Sequence, residues 1–227
     1  MDYVIPVPEQ ASLAVAGDDR RFPVRRIFCV GRNYTAHVRE MGGDERDPPF
    51  FFCKPADAIV ASGASIPFPS ATSELHHEIE LVVAIGTGGA NIPVARALEH
   101  VYGYAVGIDL TRRDLQQFAK DKRRPWDMSK GFDNSAPCGL LHPAADVGHI
   151  AQGTIRLTIN GSVRQESDLA KMIWNIPETI AHLSNLVVLA PGDLIYTGTP
   201  DGVGPVRVGD WLTGEVAGLS DLNLTVD

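Results

Sequence analysis

Long apolar runs are missing from this 227-residue chain. No window approaches the ~18 consecutive apolar residues of a membrane span. The first twenty residues, MDYVIPVPEQASLAVAGDDR, lack the basic start and apolar core of a secretory signal, so the expectation is a cytoplasmic protein with no membrane partner. Cysteine is scarce. Cys29, Cys53 and Cys138 are odd in number and widely spaced, which argues against a disulfide framework or a Cys-x-x-Cys metal site, and they read as small core hydrophobes. No basic cluster is interleaved with aromatics, and 20 basic against 28 acidic side chains leave a formal charge of -8, which disfavours a nucleic-acid partner. The one dense basic stretch, residues 120–124, contains Asp121 and reads as a solvated helix end. G-x-S-x-G, H-E-x-x-H and G-x-x-x-x-G-K-[ST] are all absent, which removes the usual serine hydrolase, helical zinc-protease and phosphate-loop readings.

What is present is a globular composition with many turns: 44% hydrophobic residues, 22 Gly and 16 Pro. Residues 1–25, rich in Pro and charge, read as an N-terminal extension that adds one or two edge strands. Residues 26–30 form a short strand, after which Asn33 is placed to cap a helix over 34–41. The segments 49–54 and 58–60 read as short strands, and 74–86 is the most strand-like stretch of the chain. Helical character is expected over 93–100, a second long strand over 101–110, and a helix from a capping box at Thr111 to Asp114. Strands follow at 154–160 and 193–196, separated by a helix that starts at Asn175-Ile176-Pro177-Glu178 and reaches Leu186. Without repeat or linker this is one domain, β-rich and of the α+β class.

Glu78 and Glu80 stand two apart in an apolar strand, so their carboxylates share a face, with His76 on it as well. Burying two such groups calls for a cation, and oxygen ligands select Mg²⁺ or Mn²⁺. Asp109, at the end of the next long strand, is a third candidate ligand, although it could equally cap the helix that follows. His37 and Glu40 fall three apart on one helical face, where they form either a base with its orienting carboxylate or an exposed ion pair. Arg113 and Gln116 share a face of their helix, suited to a substrate carboxylate or to solvent. Lys130 falls in an irregular stretch that displays side chains, catalytic or simply solvated. Thr199 lies in the loop GTPDGVG, whose glycines permit close approach to a ligand.

In order along the chain, VGRNYTAHVREMG, FFFCKPADAIV, LHHEIELVVAIG, YGYAVGIDLTRRDLQ, PWDMSKGFD and PGDLIYTGTPDGVGPV resemble the blocks of the fumarylacetoacetate hydrolase superfamily over residues 26–226. The pattern is most similar to its single-domain acylpyruvate and fumarylpyruvate hydrolases. That resemblance implies rolled mixed β-sheets with peripheral helices over residues 26–227, a homodimer, and a Mg²⁺ or Mn²⁺ held by Glu78, Glu80 and Asp109. It also implies a lid helix carrying the base His37 with Glu40, an active-site Lys130, and substrate contacts from Arg113, Gln116 and Thr199. The implied reaction is hydrolysis of the carbon–carbon bond of a small anionic 2,4-diketo acid, such as fumarylpyruvate to fumarate and pyruvate in gentisate-type aromatic catabolism. Oxaloacetate decarboxylation, oxaloacetate keto–enol tautomerisation and a non-catalytic binding module are the alternatives. Fumarylacetoacetase itself carries an extra N-terminal domain and a further Asp ligand where this chain has Val30. Fumarylacetoacetate and Ca²⁺ are therefore not the expected substrate and ion.

Overall fold

The computed structural model describes residues 2–34 and 47–227. The strand Ile79–Ile85 organises the fold, because every one of its seven residues is buried. A strand buried along its whole length, apolar but for Glu80, belongs in a sheet covered on both faces. It pairs antiparallel with Val101–Ile108 on one side and Asp193–Tyr196 on the other. Arg26–Gly31, parallel to Asp193–Tyr196, and the edge strand Phe50–Lys54 extend the sheet beyond it. In the opposite direction, Ala136–Cys138 and Ile59–Ala61 complete the path, with His142–Pro143 attached to Val101–Ile108. The sheet is mixed, eight-stranded among the described residues.

Alternate side chains of the central strand feed two cores. Ile79, Leu81, Val83 and Ile85 join Val106 and Ile108 against Ile155, Leu157, Leu212 and Leu224. The latter four come from a second sheet, ordered Ser162–Asp168, Thr154–Ile159, Trp211–Val216, Leu222–Val226 and Ala64–Ile66. A register shift between Leu157 and Thr158 interrupts its first hairpin. Val82 and Ala84 point the other way, toward Cys29, Leu194 and Tyr196, and are covered by Leu13, Val15 and Phe22. Those three belong to the hairpin of Ser12–Val15 and Asp18–Pro23, so the N-terminal segment covers a face of the sheet rather than lengthening its edge.

Several expectations need correction. The stretch 74–86 is two strands, Leu75–His77 and Ile79–Ile85, that belong to different sheets and break at Glu78. Leu75–His77 lies between Thr111–Arg112 and Gly204–Val206 in a three-stranded ribbon. Thr111 is therefore a strand residue and caps nothing; the helix Arg113–Asp121 begins with no side-chain cap, while Asp114 binds Thr72 and Ser73 instead. Residues 93–100 hold a 3₁₀ helix, Val94–His100. The helix Ile176–Leu186 carries the capping box of Asn175 and Glu178. Cys29 and Cys138 are buried, but Cys53 is exposed, on the outward side of the edge strand. Among the described residues no helix is long and apolar enough to cross a membrane.

Gly107 lies opposite Glu80 in the register of the two central strands. A Cβ built there would fall 2.5 Å from Val82 Cγ2 and 2.6 Å from Tyr196 Cε1. Gly107→Ala therefore overpacks the smaller core, and should lower unfolding free energy by about 1–3 kcal/mol in urea titration. A stability equal to that of the parent would show that the two neighbours yield freely.

Candidate active site

Three carboxylates converge where these strands end. Glu78 occupies the break between two strands, Glu80 the start of the central strand, and Asp109 the position just after Val101–Ile108. All three are buried, and one oxygen from each lies within 4.8 Å of the others. The fold forces this proximity, because Glu80 and Gly107 are cross-strand partners and Asp109 N donates to Glu78 O at 2.8 Å.

Buried like charges require compensation, and three cations supply it. Lys130 Nζ donates to Glu78 Oε2 at 2.9 Å, to Asp109 Oδ2 at 2.6 Å and to Thr111 Oγ1 at 2.6 Å. Lys54 Nζ lies 2.8 Å from Asp109 Oδ1 and donates to the carbonyls of Leu110 and Lys130. Arg113 pairs with Glu78 and also donates to Gln116 Oε1 at 2.5 Å. Lys130 is no displayed loop residue: it closes the short helix Asp127–Lys130, and its side chain is 2% exposed. Burial works to raise the Glu78 carboxyl, yet Lys130 and Arg113 outweigh it and hold it well below the ordinary range. Burial also lowers Lys130, but Asp109 and Glu78 push it upward overall.

Glu80 has no such cation among the described residues. Its Oε2 accepts the Gly198 backbone N–H at 2.7 Å. Burial first, then the charges of Asp109 and Glu78, raise its carboxyl far above the usual range. Asp109 Oδ1 is buried beside Lys54 without an aligned hydrogen bond. A buried carboxylate lacking a counter-charge among the described residues and an all-oxygen donor set fit a hard divalent cation of the Mg²⁺ or Mn²⁺ type. His77 stays out of this group, its Nδ1 held 2.9 Å from Gln165 Oε1.

Around the acids, Arg113, Gln116, Lys130 and Thr199 line one crevice. His37 and Glu40 lie outside the described residues. The helix Asn33 is expected to cap lies in the same undescribed stretch; Asn33 itself donates to Trp174 O at 2.9 Å and Thr197 O at 2.7 Å, and accepts from Trp174 N at 2.8 Å. Tyr34 forms a bridge with Met172. Three contributors escape sequence reasoning. Lys54 is a charged residue closing the aromatic strand FFFCK, and that oddity is the signal that could have found it. Gln165 gives no signal in its exposed hairpin strand, yet it is 1% exposed; its amide donates to Thr199 Oγ1 and Pro200 O at 2.9 Å each, and its carbonyl accepts from Ile79 N at 3.1 Å. Lys120 turns into the crevice instead of ending a solvated helix. A larger groove of about 630 Å³, lined by Arg164, Arg207 and the 202–204 loop, contains no acid cluster.

Without a bound ion, Glu80 raises the energy of its neighbours, and removing its charge should cost the metal-free protein little. We expect Glu80→Gln to leave the melting temperature in EDTA at or above that of the parent while abolishing the upward shift produced by Mn²⁺. Full retention of the Mn²⁺ shift would remove Glu80 from the ligand set.

The family model for the fumarylacetoacetate (FAA) hydrolase C-terminal region matches residues 26–227. A fumarylpyruvate hydrolase from Ralstonia sp. is 48% identical over 177 residues, covering 78% of this chain and 92% of that one. The crystal structure of fumarylpyruvate hydrolase from Pseudomonas aeruginosa in complex with Mn²⁺ and pyruvate superposes with a TM-score of 0.96 at 51% identity, over 99% of both chains. The mitochondrial oxaloacetate tautomerase of Homo sapiens is 39% identical over 203 residues, 89% of this chain and 92% of that one. The rolled mixed sheets thus have a counterpart along nearly the whole chain, which belongs to the fumarylacetoacetate hydrolase family.

Proposed function

We propose that this chain is a metal-dependent hydrolase that cleaves the carbon–carbon bond of a 2,4-diketo acid, with fumarylpyruvate giving fumarate and pyruvate as the reaction it fits best. Its hydrolase class is carried by 48% identity to the Ralstonia enzyme and 51% identity to the Pseudomonas enzyme. The single observation in the structure that supports the chemistry is the buried group Glu78, Glu80 and Asp109, with one carboxylate lacking a cation. These three residues would hold Mg²⁺ or Mn²⁺, which when bound supplies Lewis-acid polarisation of the substrate's oxo group.

The chain's own residues then have separate tasks. Arg113, fixed between Glu78 and Gln116, presents a planar guanidinium to a substrate carboxylate. Thr199 is positioned by Gln165 at the crevice wall. Lys130 begins with all three protons on Glu78, Asp109 and Thr111, so it supports charge developing on substrate by releasing one of those acceptors. His37, oriented by Glu40, takes a proton from water as its oxygen bonds to the distal carbonyl carbon. The bond between that carbon and the neighbouring methylene then breaks, and its electron pair leaves with the pyruvyl fragment, which takes up a proton to become pyruvate. The homodimer and the gentisate-type catabolic role implied by the sequence belong to the same proposal.

The test is incubation of the metal-stripped protein with fumarylpyruvate, with and without Mn²⁺, following the enol-diketo ultraviolet band and pyruvate release. Mn²⁺-dependent release of equimolar fumarate and pyruvate is expected. His37→Ala should reduce kcat by about 10²-fold or more and leave Mn²⁺ stabilisation intact. No cleavage of fumarylpyruvate, with oxaloacetate tautomerised instead, would reassign the chain to the activity named for the human relative.

A further inference from the structure

The charge count in the crevice does not close with the ion pairs described above. Glu78, Glu80 and Asp109 face Lys54, Lys130 and Arg113, but Arg32 and Lys120 line the same crevice and form no ion pair among the described residues. Arg32 follows the strand Arg26–Gly31 with φ 60°, a left-handed conformation that L side chains adopt at a cost, and its Nε is buried without a hydrogen bond. Lys120 is half-buried, its ammonium 5.3 Å from the Trp126 ring centroid. It lies seven residues after Arg113 and four after Gln116, so the three share one helical face. That face extends about 10 Å from the acid cluster outward.

The surroundings of Lys120 sharpen the anomaly. Burial, Arg113 on its own helix, Arg32 across the crevice and Lys130 below all disfavour its charge, and Glu78 opposes them only in part. Together they lower the ammonium to about 8. A protein gains nothing in stability from two unmatched cations held this way. An anion arriving between them would relieve the repulsion and satisfy Arg32 Nε.

We propose that Arg32 and Lys120 form a second anion subsite that holds a terminal carboxylate on the acyl portion of the substrate, so that dianionic acylpyruvates are selected over monoanionic ones. The inference rests on the acylpyruvate reading above and adds the residues that recognise the far end of the molecule. A divalent ion at the acids adds two positive charges. A diketo acid with a neutral tail returns only one negative charge, whereas a second carboxylate returns another where Arg32 and Lys120 stand. Phe50, Phe52 and Trp126 line this part of the crevice and lower its local polarity, which strengthens the pairing.

Two probes that cannot be cleaved isolate the subsite: 2-oxoheptanedioate and 2-oxoheptanoate share one carbon chain and differ only in the terminal carboxylate. In calorimetric titration of the Mn²⁺-loaded protein, the diacid should bind about tenfold or more tightly than the monoacid. Lys120→Met and Arg32→Gln should each collapse that ratio, and Lys120→Arg should restore it. The ratio should also decline as pH rises past 8, because Lys120 then loses its proton, and Lys120→Arg should carry the preference to higher pH. In turnover, Lys120→Met should reduce kcat/KM for fumarylpyruvate about tenfold relative to acetylpyruvate, chiefly through KM. A wild-type ratio near one, a ratio unaltered in both variants, or equal losses on the two diketo acids would each overturn the subsite. If the wild type cleaves neither diketo acid yet binds the diacid more tightly than the monoacid, the hydrolase reading falls and the subsite stands.

Discussion

Everything at the centre of this molecule depends on placing three carboxylates together in a dry interior. Glu80 enters on a strand buried on both faces, Asp109 follows the partner strand, and Glu78 marks the change from one sheet to another. The Coulomb cost of that arrangement is met on two sides. Lys54, Lys130 and Arg113 neutralise Glu78 and Asp109, and Glu80 has no ion-pair partner among the described residues. The asymmetry is what separates a binding site from a structural ion-pair network. A closed network would leave every acid with its own base, whereas here one acid has only a backbone N–H from Gly198.

The same crevice is locally cationic in a protein of formal charge -8. Net charge governs the outer surface and long-range encounters. Inside the crevice, the local set of Arg32, Arg113, Lys120 and Lys130 governs instead, and aromatic side chains reduce the screening that water would otherwise provide.

Much of this was legible in the sequence because the period-two pattern and the strand ends carry it. The run 79–85, apolar but for Glu80, reads as a strand, and Glu78, Glu80 and Asp109 stand out against that background. The capping box at Asn175 and Glu178 likewise reads directly as a helix start. The capping box suggested at Thr111 misleads because strand pairing with His76 outweighs a local hydrogen bond. Lys130 reads as a loop residue because its burial depends on acids far away in the chain, and Lys54 escapes notice for the same reason. A lysine's environment is set by its long-range partners, and spacing along one element does not encode them. The break at Glu78 is illegible for a related reason: one residue separates strands whose partners lie in different sheets.

The outer sheet shows how one residue of chain length reaches the site. Along the hairpin, Ser162 faces Ile159 and Val163 faces Thr158, but Gln165 rather than Arg164 faces Leu157. Arg164 is the extra residue of that bulge. A regular ladder would have turned a guanidinium inward at this level and an amide outward, since a slip by one residue exchanges the two faces. The bulge therefore selects a neutral side chain that can donate to Thr199 and Pro200 while accepting from Ile79. It also keeps a further positive charge from entering behind the acids. Loop length in a peripheral hairpin is in this way a parameter of the site's electrostatics.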